Sequence, residues 1–152
     1  NNKIAYLAYT NLYPKSLEAT NERAGLSHFD LEFIEEKIAE SKKLADIVII
    51  SLHWGEEYQN YSNEIQRNIA HSLVETGADL IIGHHPHVPQ EIEHYKDAWI
   101  AYSLGNFVFD QDFSEETMTG LMLKVFIENK KIKEIKPVDI TINRDFQPEV
   151  SS

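Results

Sequence analysis

Two short runs, Ile47 to Leu52 and Leu80 to Ile82, are apolar without polar alternation, the pattern of strands buried on both faces of a parallel sheet. Each follows a segment in which apolar residues recur every three or four positions. The first of these segments predicts a helix from Asp30 to Leu44, with Asp30 capping the free amides and Leu31, Ile34 and Ile38 on one stripe. The second predicts a helix from about Asn63 to Thr76, with Ile65, Ile69, Leu73 and Val74 facing inward and Gly77 ending it. An earlier apolar stretch, Ile4 to Tyr9, reads as a further strand. Strand, helix, strand in that order is a βαβ unit, whose right-handed crossover makes the strands parallel and brings their carboxyl ends to one edge. Open α/β sheets place ligands at that edge.

After Gln90 the pattern shortens. Ile92 to Tyr95, Trp99 to Ser103 and Leu121 to Ile127 read as strands, and Ile132 to Ile140 as another beyond a turn at Asn129-Lys130. Pro137 cannot donate to a ladder, so it predicts an edge or a bulge. The expected fold class is α/β, a βαβ core followed by meandering antiparallel strands. Residues 1–143 are expected to form one domain, and Arg144 to Ser152 a tail or an exit to another part. The chain starts at Asn1 without a methionine and runs at once into a strand, which leads us to expect a longer parent protein.

The net charge of −11 excludes a general nucleic-acid binder, because phosphate affinity depends on lysine and arginine displacing counterions. A polyanion would need a bridging metal or a local basic pocket. With no cysteine, any metal site must be built from His, Asp, Glu and Asn. No apolar run approaches the roughly 20 residues that cross a bilayer, so no membrane segment is expected in this chain.

The chemical signal is where the histidines fall. The first buried strand delivers His53-Trp54-Gly55 and the second Gly83-His84-His85-Pro86-His87. Four of seven histidines thus meet at two neighbouring strand ends, where rigid backbone holds a ligand in place. Because His85 precedes a proline, it is biased toward extended backbone, which lets His85 and His87 project to one centre while His84 points elsewhere, toward a substrate. A lone histidine of this kind more often satisfies a backbone carbonyl; the cluster argues for metal. Gly83 is read either as a point of close backbone approach or as a plain turn glycine. His28, His71 and His94 are expected to have no chemical role.

Three motifs in order, Ser51-Leu52-His53-Trp54-Gly55-Glu56-Glu57-Tyr58, Gly77-Ala78-Asp79-Leu80-Ile81-Ile82-Gly83-His84-His85-Pro86-His87 and Tyr102-Ser103-Leu104-Gly105-Asn106-Phe107, resemble the CapA family of poly-gamma-glutamate capsule-synthesis proteins. The similarity runs from about Gly25 to Ile140. It implies a calcineurin-like metallophosphoesterase fold, an α/β sandwich that is incomplete here, with His53, His85 and His87 as ligands of a dinuclear centre of divalent metal (manganese, iron or zinc). It further implies His84 and Asn106 as catalytic groups. Trp54, Glu57 and Ser103 are implied at the substrate, although Trp54 reads equally well as a core aromatic, Glu57 as a solvated carboxylate and Asn106 as a turn residue. The fold family takes its other ligands from aspartate, Gly-Asp and Gly-Asn elements upstream of the histidines. This chain has no Gly-Asp pair, and its only Gly-Asn, Gly105-Asn106, lies downstream.

The resemblance therefore implies a carboxyl-terminal part of such a domain, with low hydrolytic activity by itself. It implies an anionic polymer or phosphoester as substrate, other capsule synthesis and export proteins as partners, and the outer face of the bacterial membrane as the parent's location. Two other classes stay open: a non-catalytic polymer-binding or assembly component, and a purely structural module.

Overall fold

The computed structural model describes residues 1–27 and 29–151; His28, expected to be without a role, lies outside the described residues. Two layers of helix and sheet account for the first hundred residues. Strand β1 (Ile4–Thr10), helix α1 (Leu31–Lys42), strand β2 (Ile47–His53), helix α2 (Glu64–Thr76) and strand β3 (Leu80–His84) follow in succession. Both crossovers give parallel pairs, Ile4 opposite Ile47 in one and Ile49 opposite Leu80 in the other. Asp30 caps α1 by accepting from the Phe33 amide, as its position predicts. Alternate side chains of the sheet, among them Val48, Ile50, Leu52, Ile81 and Ile100, pack against Ile34 and Ile38 of α1 and Ala70, Leu73 and Val74 of α2. The intervening Ile47 and Leu80 are fully buried as well, which explains why these strands show no polar alternation.

The inward face of α2 differs from the expected one. Ile65 is 68% exposed, whereas Gln66 is 2% exposed. The helix starts in a capping box in which Asn63 and Gln66 each accept from the other's backbone amide, and this turns position 66 inward. The buried set is then Gln66, Ala70, Leu73 and Val74, spaced at helical period from that point.

Strands β4 (Ile92–Tyr95) and β5 (Ala98–Ala101) form the expected antiparallel hairpin, yet both belong to the main sheet, whose order is β1-β2-β3-β5-β4. β5 runs parallel to β3 through Ile81 opposite Ile100, so the parallel core is one strand wider than the sequence pattern suggested. The separate antiparallel sheet comprises β6 (Thr119–Glu128), β7 (Lys131–Ile142) and β8 (Pro148–Val150). The result is an α/β architecture with a parallel-strand sheet and a distinct antiparallel sheet, an incomplete α/β sandwich. Pro137 faces Leu123 of β6, while β8 pairs only with residues 140–142, so the proline's other side is a free edge. The segment expected as a tail instead turns back to supply β8.

Gly83 is the tightest point between β3 and its neighbours. A Cβ there would lie 1.8 Å from the Tyr102 carbonyl oxygen and 2.6 Å from Trp54 Nε1. Close approach, rather than turn geometry, is what this glycine supplies. Gly83→Ala is expected to destabilise the fold by about 3 kcal/mol, the upper range for overpacking a core, as read by urea denaturation. A midpoint equal to that of the unsubstituted chain would contradict this packing.

Candidate metal centre

β2 and β3 end side by side, with His53 registered opposite His84, and the Trp54 amide donates to the His84 carbonyl at 3.0 Å. The loops that leave them are tied together by the Tyr58 amide, which donates to the Pro86 carbonyl at 2.8 Å. This tie brings Glu57, on the first loop, to the histidines of the second. Glu57, His85 and His87 offer three ligand atoms that all lie within 4.8 Å of one another, a group that can hold a metal ion.

His85 does not adopt the extended backbone that its proline neighbour favours. Its φ is 104°, and Tyr58 and His87 also take left-handed values, 63° and 62°. Left-handed backbone costs these side-chain-bearing residues energy, and it is sustained by the cross-loop bond and by what each ring touches. The convergence expected of His85 and His87 is real, with ring centroids 5.7 Å apart, but it arises from tertiary constraint rather than from local preference.

His87 is held most firmly. Its Nδ1 lies 2.9 Å from Asn106 Oδ1, while Asn106 Nδ2 donates to the Thr117 carbonyl and to Gln111 Oε1. Because the amide nitrogen is committed as a donor, Oδ1 must accept, so a proton sits on His87 Nδ1 and Nε2 is left as the nitrogen that can ligate. This is how an outer carbonyl orients a metal-ligating imidazole. Asn106, 6% exposed, is thus a positioning group for His87. Tyr58 stacks on the same ring at 5.9 Å, and Phe109 tilts against it at 5.1 Å.

His53, expected among the ligands, stands beside the trio rather than within it. Its ring meets that of His85 edge-on at 4.7 Å, and its Nδ1 is 3.0 Å from Thr10 Oγ1. Burial lowers the pKa of His53, with the neighbouring histidines adding to the effect. Burial likewise lowers His84 and His85; for His85, Glu57 opposes the shift. These rings are therefore biased toward the neutral form, the one that ligates metal.

The donor set fits a divalent cation. Two imidazoles and a carboxylate are common ligands, and around an ion with bonds of about 2.0–2.2 Å no two ligand atoms exceed about 4.4 Å, so a closure of a few tenths of an ångström suffices.

Two residues expected at the substrate lie elsewhere. Trp54 is 1% exposed, donates from Nε1 to the Tyr102 carbonyl and stacks on Tyr102, so it is the core aromatic of the two readings. Ser103 is fully buried and its hydroxyl accepts from the Gly105 amide, which shapes the turn before Asn106. Glu57, also expected at the substrate, lies with His85 and His87 in the group that can hold a metal. His71 pairs with Glu93 at 3.1 Å and stacks on Tyr95, and His94 lies against Trp99, both apart from this centre.

Sequence reasoning did not single out the supports of the site. Gln66 donates to Gln90, which in turn donates to the Gln59 and Tyr61 carbonyls, so a buried pair of glutamines holds the loop that carries Glu57. Thr10, Gln111 and Thr117 were likewise unmarked, and Tyr58 stood in the first motif without a role. Position in or near the motifs is their only signal, since their roles depend on contacts 11 to 53 positions apart in the chain.

A family model described as bacterial capsule synthesis protein PGA_cap matches residues 1–111, which include every side chain named at the centre except Thr117. The chain belongs to this family. Among relatives of the PGA_cap family, it is 41% identical over 138 residues to a PGA biosynthesis protein CapA of Bacillus subtilis, covering 90% of this chain and 36% of that protein. It is 36% identical over 143 residues to a capsule biosynthesis protein CapA of Bacillus anthracis, covering 91% and 35%. A probable polyglutamine synthesis accessory protein of Mycobacterium tuberculosis is 33% identical over 76 residues, half of this chain and 20% of its own length. The chain spans about a third of the length of the two Bacillus relatives.

The lowered histidines set a pH dependence for this PGA_cap chain. The unfolded state takes up protons near the ordinary histidine value of 6.5 while the folded state resists them. The contribution is thus fully present above pH 6.5 and is lost as pH falls through the lower folded values. Melting temperature in chelator should decline between pH 7 and 5, and less so in His84→Gln. Identical profiles for the two proteins would remove His84 from the account.

Proposed function

We propose that this chain provides the histidine side of a divalent-metal site through which a capsule synthesis protein acts on an anionic polymer, poly-gamma-glutamate, during its synthesis or export. The observation that carries the reading is the convergence of Glu57, His85 and His87, with His87 oriented from behind by Asn106. The Bacillus relatives, a PGA biosynthesis protein and a capsule biosynthesis protein, support the choice of polymer. No described helix is long and apolar enough to cross a membrane, and the outer face of the bacterial membrane is proposed for the parent protein from the family resemblance.

In this reading Glu57, His85 and His87 hold manganese, iron or zinc, and His53 stands ready as a ligand to a second ion. A bound divalent ion would supply Lewis-acid stabilisation of negative charge on a phosphoryl or carboxyl oxygen. The protein's own contributions are explicit. Asn106 keeps the His87 proton on Nδ1, Tyr58 and Phe109 fix the ring plane, and Thr10 orients His53. His84, biased toward the neutral form by burial, is the nearby group able to take a proton from an attacking water. The proposed chemistry is phosphoester-type hydrolysis. The second reading, polymer binding without turnover, draws on the carboxylate count: Glu57 is the only carboxylate in the trio, whereas a dinuclear centre is built around shared anionic ligands.

Calorimetric titration with manganese tests the site. Binding is expected for the unsubstituted chain and its loss in a His85→Ala, His87→Ala double variant, with Asn106→Ala weakening it about 10–100-fold. Equal heats from all three proteins would sink the metal reading. Turnover of a generic phosphodiester at saturating manganese, expected to be low and absent in the double variant, separates hydrolysis from binding alone.

A further inference from the structure

A cleft of about 740 Å³ lies beside the proposed metal centre and outside it. Its walls come from the 112–118 segment and from the β7–β8 turn, with Phe113, Met118, Phe146 and Arg144 among the lining side chains. The cleft and the centre share a wall, because Phe113 meets Tyr58 edge-on at 5.2 Å and Tyr58 stacks on His87.

Both walls are built. Thr117 is 1% exposed, and its hydroxyl is bonded to the Gln111 and Ser114 carbonyls; its own carbonyl accepts from the same Asn106 that orients His87. Across the cleft, Asn143 Oδ1 accepts from the Asp145 and Gln147 amides and the Asn143 carbonyl accepts from the Phe146 amide. That turn holds Phe146 in left-handed backbone, φ 59°, a conformation an aromatic residue rarely adopts.

Arg144 sits in this turn without an internal partner. The chain has three arginines; Arg23 donates to the Glu18 carbonyl and Arg67 to Ser62, while Arg144 makes no hydrogen bond or ion pair among the described residues. In a chain of net charge −11, an unpaired guanidinium lining this cleft is a point at which an anionic group can be held.

We propose that this cleft is a subsite for an amide-linked acidic chain, an extension of the proposed polymer reading and resting on it. A carboxylate of the chain meets the Arg144 guanidinium, its aliphatic stem lies on Phe113, Met118 and Phe146, and its amide N–H groups donate to Asp112 or Glu115 at the rim. The two acidic residues oppose indiscriminate polyanion adsorption and so favour a ligand whose anionic groups register on Arg144.

Fluorescence anisotropy with a labelled γ-linked glutamate decamer, in manganese at low salt, tests this. Arg144→Gln is expected to weaken binding about tenfold, the scale of one charge-assisted hydrogen bond, with Arg144→Lys recovering part of it. Phe113→Ala is expected to weaken it severalfold. Lys133→Gln, at the far hairpin where Lys133 pairs with Glu128, serves as the charge control and should leave binding unchanged. Arg144→Gln binding as tightly as the unsubstituted chain, or Lys133→Gln losing as much, overturns the subsite. The failure of the metal reading looks different: the His85→Ala, His87→Ala variant would bind the decamer with an unaltered manganese response while the Arg144 dependence persisted.

Discussion

A Cβ at Gly83 would come within 1.8 Å of the Tyr102 carbonyl oxygen, so this pair of backbones passes with no room for a side chain. The same carbonyl accepts from Trp54 Nε1, and the Gly83 carbonyl accepts from the Leu104 amide. Three chain segments are therefore pinned at one spot: the exit of β2 through Trp54, the end of β3 through Gly83, and the exit of β5 through residues 102–104. His53, the His84-to-His87 loop and Asn106 leave from those three exits. The centre inherits its geometry from a packing constraint one layer below it.

Rigidity propagates outward from that point by hydrogen bonds rather than by further burial. The Tyr58-to-Pro86 bond closes one loop on the other, the Gln66–Gln90 pair holds the loop stem, and Asn106 joins His87 to Thr117. Buried amides of this kind stabilise only when fully satisfied, and among the described residues no buried side-chain nitrogen or oxygen is left without a partner. The left-handed backbone at Tyr58, His85 and His87 persists because these bonds over-determine it.

How much of this was legible in the sequence depended on the range of the interaction concerned. The βαβ core was readable because Ile47 to Leu52 and Leu80 to Ile82 carry a local pattern that burial on two faces produces directly. The gathering of His53, His84, His85 and His87 followed from strand order alone. What eluded the sequence depended on contacts between distant residues. Ile65 against Gln66 was decided by a side chain folding back on a cap and then meeting Gln90. Glu57 joined the histidines because of a cross-loop bond, and β5 joined the parallel sheet although its hairpin partner β4 is antiparallel to it. The segment from Arg144 onward looked like a tail because a three-residue strand is too short to show a period.

The charge distribution ties the proposed site to the proposed ligand. A chain with 25 acidic and 14 basic side chains repels a polyanion over most of its surface, so affinity must come from a few places where the sign is reversed. The proposed centre is one, through an ion held by Glu57, His85 and His87, and the other is the Arg144 guanidinium itself, since Asp112 and Glu115 also line its cleft. Phe113 and Tyr58 lie between them, which makes the intervening wall aromatic and uncharged. Two positive points separated by an apolar wall favour a ligand that alternates anionic groups with aliphatic stem, whereas a small free anion could engage only one of them. Background repulsion thus contributes to selectivity: it opposes polyanions in general, and a chain able to reach both points recovers more of the loss than one that reaches a single point.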